Sequence, residues 1–284
     1  VNANAPAPAP ATVPFGALHA VLWMSTAYFW MLLGALILGA IREEALKDMV
    51  SLGALSAAVF LLTSAMLTAR HPGGDTLRAA LGFRPTAPLL LPIALIGGAL
   101  AQIPAEGIIG LETYLMPGAT QALAEQTALL TPRGAVHGAF LLLVLAVVVP
   151  IGEEAFFRGA VYGALRRAHH PGWRAGLISG IGFTLSHFHP TMLLPIAVVA
   201  TYLTFLRVVS GSLWPSLFAH IGFNLVTMVS VVLKLPEGMF DFMSPEWQVA
   251  AALGITATVF VALWLSRSES ARNSRIEEAQ PVDG

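Results

Sequence analysis

Residues 15–41 and 49–69 contain no Asp, Glu, Lys or Arg, and these uninterrupted apolar runs limit the fold more than any other feature. About 20 apolar residues in a helix cross the roughly 30 Å hydrocarbon core of a bilayer. Such a helix satisfies its backbone N–H and C=O groups within its own segment, which hydrocarbon demands. Residues 85–105 form a third uncharged run, in which Pro88, Pro92 and Pro104 predict kinks. Residues 134–152 run straight into a Glu-Glu pair, and 212–233 and 247–266 are again apolar. Two shorter runs, 175–187 and 191–206, predict tilted, kinked or partly re-entrant segments. The expectation is an all-α polytopic membrane protein with about eight transmembrane helices. Charged residues make up only 11% of the 284, against about a quarter in soluble domains. That is too little charge to cover a water-facing surface.

The formal net charge of -1 argues against nucleic acid as a partner, because phosphate binding needs a basic surface. No cysteine is present, which removes disulfides, thiolate metal ligands and a cysteine nucleophile. Residues 1–14 are rich in Ala and Pro and lack the basic n-region of a secretory signal, so they read as a flexible arm. Residues 15–266 read as one membrane-embedded domain and 267–284 as a polar C-terminal tail, solvated or disordered. With eight alternating spans, Arg70, Arg78, Arg84, Arg166, Arg167, Arg174, Arg207, Arg267, Arg272 and Arg275 fall on one side. Arg42, Lys47, Arg133 and Lys234 fall on the other. The positive-inside rule then predicts both termini in the cytoplasm.

Three polar clusters interrupt the apolar helices. The first is Glu153-Glu154-Ala155-Phe156-Phe157-Arg158. An ionised side chain in the membrane costs about 2.5–3.5 kcal/mol on insertion scales, so three within six positions need pairing or a purpose. Glu154 and Arg158 are i,i+4 neighbours and predict an ion pair. Glu153 lies about 100° around the helix from Glu154 and is left as an available carboxylate. The second cluster is Phe183-Thr184-Leu185-Ser186-His187, and the third His220-Ile221-Gly222-Phe223-Asn224. In the third, i,i+4 spacing turns His220 and Asn224 toward the same space.

Each cluster alone has a structural reading: an interfacial salt bridge, a hydrogen-bonded core histidine, and an interhelical bond between polar side chains. Together they hold complementary chemistry. A glutamate accepts a proton from water, and a histidine shares or shuttles it. His and Asn donate hydrogen bonds to an oxyanion developing on a peptide carbonyl. Alternatively, Glu153, His187 and His220 supply the N and O ligands of a zinc site with an open position for water. No H-E-x-x-H helix is present, so a conventional zincin site is unsupported.

The motif Glu153-Glu154-x-x-x-Arg158-Gly159, followed by Phe183-x-x-x-His187 and His220-x-x-x-Asn224, resembles the CPBP intramembrane proteases. These include the type II CAAX prenyl endopeptidases and bacterial proteins linked to bacteriocin processing or immunity. The run Ser212-Leu213-Trp214-Pro215-Ser216 before His220 also looks like the family's third motif region, and the resemblance covers roughly 151–225. It implies an all-helical membrane fold with a cavity open to the cytosol, and a peptide or protein substrate, lipidated or not. It further implies that Glu153 and His187 activate the attacking water, that Glu154 and Arg158 support the site, and that His220 and Asn224 stabilise the oxyanion. Zinc held by Glu153, His187 and His220 stays open as an alternative. One departure is the stretch after His187, where Pro190 and Pro195 stand in place of a glycine pattern; this bears on the cavity wall and substrate choice.

Glu106, Glu112 and His137 read as interfacial or structural groups. His169 and His170 join Arg166 and Arg167 in a basic patch suited to anionic headgroups or a substrate carboxylate. The competing functions are a non-proteolytic binding or immunity protein of the same fold, and a proton-coupled transporter. No paired Gly/Pro-interrupted segments mark an inverted repeat, which disfavours the transporter.

Overall fold

The computed structural model describes residues 15–70, 76–116, 121, 124–125, 127–187, 192–235 and 244–279, with side chains described to 267. The regular elements among these residues are all helical. They are α1 (Ala17–Ile41), a 3-10 turn (Glu43–Lys47), α2 (Met49–Arg70), α3 (Leu77–Ala80), α4 (Leu90–Leu115), α5 (Ala135–Arg167), α6 (Gly172–Leu185), α7 (Leu193–Ser210), α8 (Trp214–Val232) and α9 (Pro245–Ala279). Seven of them (α1, α2, α4, α5, α7, α8 and α9) are long and apolar enough to cross a membrane. The chain is a multi-pass membrane protein.

The eighth expected segment is present as α6, but it has only 14 residues. At 1.5 Å per residue it rises about 21 Å, short of a full crossing. Pro171 sets its start and the polar Ser186-His187 pair lies at its end. Two of the three kinks expected in α4 are absent as causes. Pro88 precedes the helix and Pro92 lies in its first turn, where a missing N–H breaks no helical bond. Pro104 alone is interior. The polar residues expected to form a loose tail continue α9 as helix to Ala279.

Helix α6 pairs antiparallel with α7: Gly172 and Gly176 face Val208, and Gly176 and Gly180 face Thr204. Gly211 ends α7 at φ 65, a left-handed conformation in which a Cβ is strained. The start of α6 and the end of α7 therefore lie together at the end of the bundle where α5 finishes. His170 Nε2 donates to the Phe15 carbonyl at 3.1 Å, which ties the start of α1 to that same end. Helix α9 runs antiparallel to α4, since Gln248 donates to Ile103 O at 3.0 Å while Leu265 packs with Leu90 and Leu206. Its far end accordingly returns to the arginine-rich end of the bundle.

Two apolar clusters hold the helices together. The larger stacks Phe60, Phe156, Phe157 and Phe183, with successive ring centroids 5.2, 5.0 and 5.4 Å apart. Large apolar side chains meanwhile face outward all around the bundle, Leu36 at 70% and Ile41 at 79% exposure among them. Water would not tolerate that surface, and lipid requires it. Packing between helices depends instead on close backbone approach. The extreme case is α4 against α8: a Cβ on Gly98 would collide with the Ala219 carbonyl, and one on Gly222 with the Leu95 carbonyl.

Gly222→Ala should push α4 and α8 apart and cost about 1–3 kcal/mol, as overpacking does. Thermal unfolding in detergent will show it as a lowered midpoint.

At the opposite end of the bundle, Asp48 ties the start of α2 to the start of α5. It accepts from the Ser51 N–H at 3.1 Å, from His137 Nε2 at 3.0 Å and from the Arg133 guanidinium. Partial burial works to raise its pKa, but the bonds from Ser51 and His137 and the charge of Arg133 prevail and hold it below the usual carboxylate range. A depressed carboxyl pKa contributes stability above the unfolded-state value that is lost as pH falls through the folded-state value. The thermal midpoint should therefore drop as pH is lowered below the ordinary carboxylate range, and Asp48→Asn should flatten that part of the curve.

Candidate active site

The site is built on α5, whose hydrogen-bond ladder widens twice, at Val144–Val148 and at Ala155–Val161. Wide turns of this kind recur at functional positions. The first has a clear cause in Pro150, which has no N–H to donate. The Val149 N–H reaches back to Val144 O, five residues away. Leu145 O is then left with neither partner, since its i+4 donor is taken and its i+5 residue is Pro150. Asn224 Nδ2 fills that vacancy from α8 at 2.9 Å. In the second wide turn the Tyr162 N–H goes to Phe157 O, which releases Arg158 O. Arg207 Nε of α7 donates to it at 2.9 Å. Each widening thus hands a backbone acceptor to a neighbouring helix and fixes α5 against α7 and α8.

Glu153 and Glu154 lie between the two wide turns. Glu154 is fully buried and accepts from Arg158 Nη1 at 2.9 Å and from His220 Nδ1 at 3.1 Å. The Arg158 guanidinium in turn lies 4.1 Å from the Phe183 ring centroid and donates to Ala200 O at 3.4 Å. The expected i,i+4 ion pair is present. It also has a third member, since His220 places its ring between both glutamates: Nε2 is 3.6 Å from Glu153 Oε2.

Glu153, His187, His220 and Asn224 line one cavity of about 100 Å3, together with Val149, Phe183, Ile196, Val199 and Phe223. A space of this size holds a few waters where polar groups converge. His187, just past the end of α6, points Nδ1 at the Phe183 carbonyl at 3.0 Å. A carbonyl only accepts, so the neutral ring carries its proton on Nδ1 and keeps a lone pair on Nε2. Phe183 orients both histidines edge-on, with centroids 4.9 Å from His187 and 5.5 Å from His220. Contacts across α5, α6, α7 and α8 are therefore what assemble the cavity.

Comparison with known families bears directly on these helices. Residues 135–226 match the family model of the type II CAAX prenyl endopeptidases described as Rce1-like. No curated protein and no solved structure matches the chain. The matched segment runs from the start of α5 into α8 and contains every residue of the three polar clusters. That family is one of prenyl endopeptidases, and the match spans about a third of the chain.

Within the Rce1-like segment all six expected residues come together. Glu153, His187, His220 and Asn224 reach the cavity, while Glu154 and Arg158 lie behind it. The zinc arrangement fits less well. Among the described residues no three His, Asp or Glu side chains stand together as a metal-ligating set. The Nδ1 bonds of His220 to Glu154 and of His187 to Phe183 are ones metal-ligating histidines also make, so it is only the failure of three such side chains to converge that tells against zinc. His189 and Pro190 lie outside the described residues.

Two of the expected structural groups have such partners: His137 binds Asp48, and Glu106 accepts from Gln102 at 2.7 Å. Sequence reasoning gave no site role to Arg207, which binds the carbonyl freed in the second wide turn.

Glu154→Ala leaves the Arg158 cation buried without its counter-ion, a loss of about 3–5 kcal/mol. Thermal unfolding of the purified variant should show a large drop, whereas Glu153→Gln should leave the midpoint close to wild type.

Proposed function

We propose that the chain is an intramembrane endopeptidase that hydrolyses a peptide bond of a membrane-associated protein or peptide, a prenylated C-terminal segment being the substrate class its family name suggests. The observation that supports it most is the convergence of Glu153, His187, His220 and Asn224 on one small cavity. Water there is deprotonated by Glu153, with His187 Nε2 as the second acceptor. Its oxygen adds to the scissile carbonyl carbon, and the oxyanion that forms accepts from the second Asn224 Nδ2 hydrogen and from His220 Nε2–H. The latter donation needs the ring protonated on both nitrogens, because Nδ1–H goes to Glu154. Collapse breaks the C–N bond, and the proton taken from water passes to the leaving amine. Glu154 and Arg158 hold His220 in place and keep Glu153 unpaired with arginine.

The remaining assignments follow the same reading. Residues 15–266 act as one domain, flanked by the 1–14 arm and the 267–284 tail. The arginine-rich end faces the cytoplasm, with both termini there, because that orientation obeys the positive-inside rule. Lipids are partners of the exposed apolar surface.

The assay is cleavage of an internally quenched peptide ending in a farnesylated CAAX sequence, by the full chain in liposomes, beside its unprenylated counterpart. Glu153→Gln and His187→Gln should each lower kcat/KM by about 10²–10⁴, the scale of a lost general base. Full activity in both variants would overturn the proposed roles. Cellular phenotypes that Glu153→Gln leaves intact would favour the binding or immunity reading instead.

A further inference from the structure

A groove of about 440 Å3 runs between α6 and α7, lined by other residues of these helices than those in the catalytic cavity. One wall is the row Trp173, Leu177 and Ile181, four residues apart on α6; the other is Ala197, Thr201 and Phe205, four apart on α7. Phe183 and His187 of α6, with Ile196 and Val199 of α7, turn to the catalytic cavity instead. The two helices are thus the partition between the two spaces. Glycine gives the groove its depth. Cβ atoms on Gly176 and Gly180 would come within 2.7 and 3.1 Å of the Thr204 side chain, so the helices meet closely at the floor, while Trp173 stands 68% exposed at one end.

The lining selects an apolar chain. Thr184 and Thr201 donate their hydroxyl protons to Gly180 O at 3.1 Å and Ala197 O at 2.7 Å, each within its own helix, and Thr204 Oγ1 is buried. Two intact helices offer no open backbone edge to a peptide strand. The Trp173 end, by contrast, is basic. Arg174 follows Trp173 and is exposed, and Arg166 is held beside the start of α6 by donating from Nη1 to His170 O at 2.6 Å. Among the described residues neither arginine forms an ion pair with a carboxylate. A neutral lipid leaves both cations unanswered, and a prenyl group brings no anion to that end. A phosphate answers both, since guanidinium groups match its geometry and charge.

We infer that the groove is a binding site for one anionic phospholipid, its acyl chain lying along α6 and α7 from Trp173 toward Ala197 and its phosphate between Arg166 and Arg174. The lipid braces α6, which is too short to cross the membrane and carries His187 just beyond its end. The site is separate from the catalytic cavity and does not depend on the hydrolytic reading.

The test measures lipid contact and needs no cleavage. The full chain is placed in phosphatidylcholine vesicles in which a varied fraction of either phosphatidylcholine or phosphatidylglycerol carries brominated acyl chains, which quench nearby tryptophan. The chain has 6 tryptophans, so the Trp173 signal is taken as the difference between wild type and Trp173→Phe. Brominated phosphatidylglycerol should quench Trp173 with an apparent affinity at least about 5-fold above that of brominated phosphatidylcholine, the weight of one arginine at an anionic lipid surface. Arg166→Gln and Arg174→Gln should each reduce that preference and together abolish it, with the thermal midpoint unmoved. Thr201→Phe, which fills the groove from an exposed position, should weaken quenching by both lipids. Equal quenching by the two lipids in wild type would overturn the inference and leave only the ordinary lipid annulus. So would a preference that survives the double arginine variant. Displacement of the brominated phosphatidylglycerol by a farnesylated peptide would overturn it as well, by giving the groove to a substrate's chain.

Discussion

Placing the Glu154 carboxylate inside an apolar bundle is the constraint on which the rest of the site depends. A buried carboxylate without compensation costs several kcal/mol even after relaxation. Arg158 supplies the charge from one helical turn away, and His220 supplies a hydrogen bond from α8. Arg158 must then be satisfied in its turn, which the Phe183 ring and the Ala200 carbonyl do from α6 and α7. One buried anion thereby ties four helices into a single geometry. The same ties hold His220 beside Glu153, which faces the cavity.

The widened turns of α5 serve that arrangement. A regular helix would consume Leu145 O and Arg158 O internally, and Asn224 and Arg207 would each bury a donor without an acceptor. Pro150 opens the first turn by lacking an N–H. The second is stabilised by donors arriving from outside, including the Ser179 hydroxyl, which bonds Phe157 O at 2.8 Å. Irregular backbone is tolerable at membrane depth here because protein, and not lipid, meets the released carbonyls. Gly98 and Gly222 complete the assembly by letting α4 and α8 approach backbone to backbone beside His220 and Asn224.

Much of this was legible in the chain. The apolar runs located all the spanning helices, because a bilayer imposes one length and one composition on each. The Glu154–Arg158 pair followed from i,i+4 spacing, and the motif order was enough to indicate a family that the match over 135–226 bears out. The runs located the segment at 175–187 but not its failure to cross, since hydropathy does not report where a short helix begins relative to its neighbours. Nor did they report that the polar residues beyond 267 continue as helix, a local propensity that charge content obscured.

Sequence alone determined that the chain lives in lipid, that Glu153, Glu154, Arg158, His187, His220 and Asn224 are its costly polar residues, and which two of them pair. Those are properties of single helices and of the solvent around them. Only the tertiary structure decided that His220 bridges the two glutamates, that Asn224 binds a carbonyl freed by Pro150, and that Arg207 binds the one freed at Arg158. Those contacts join residues far apart in the chain. No periodicity records them, because they depend on how far one helix is rotated and shifted against another.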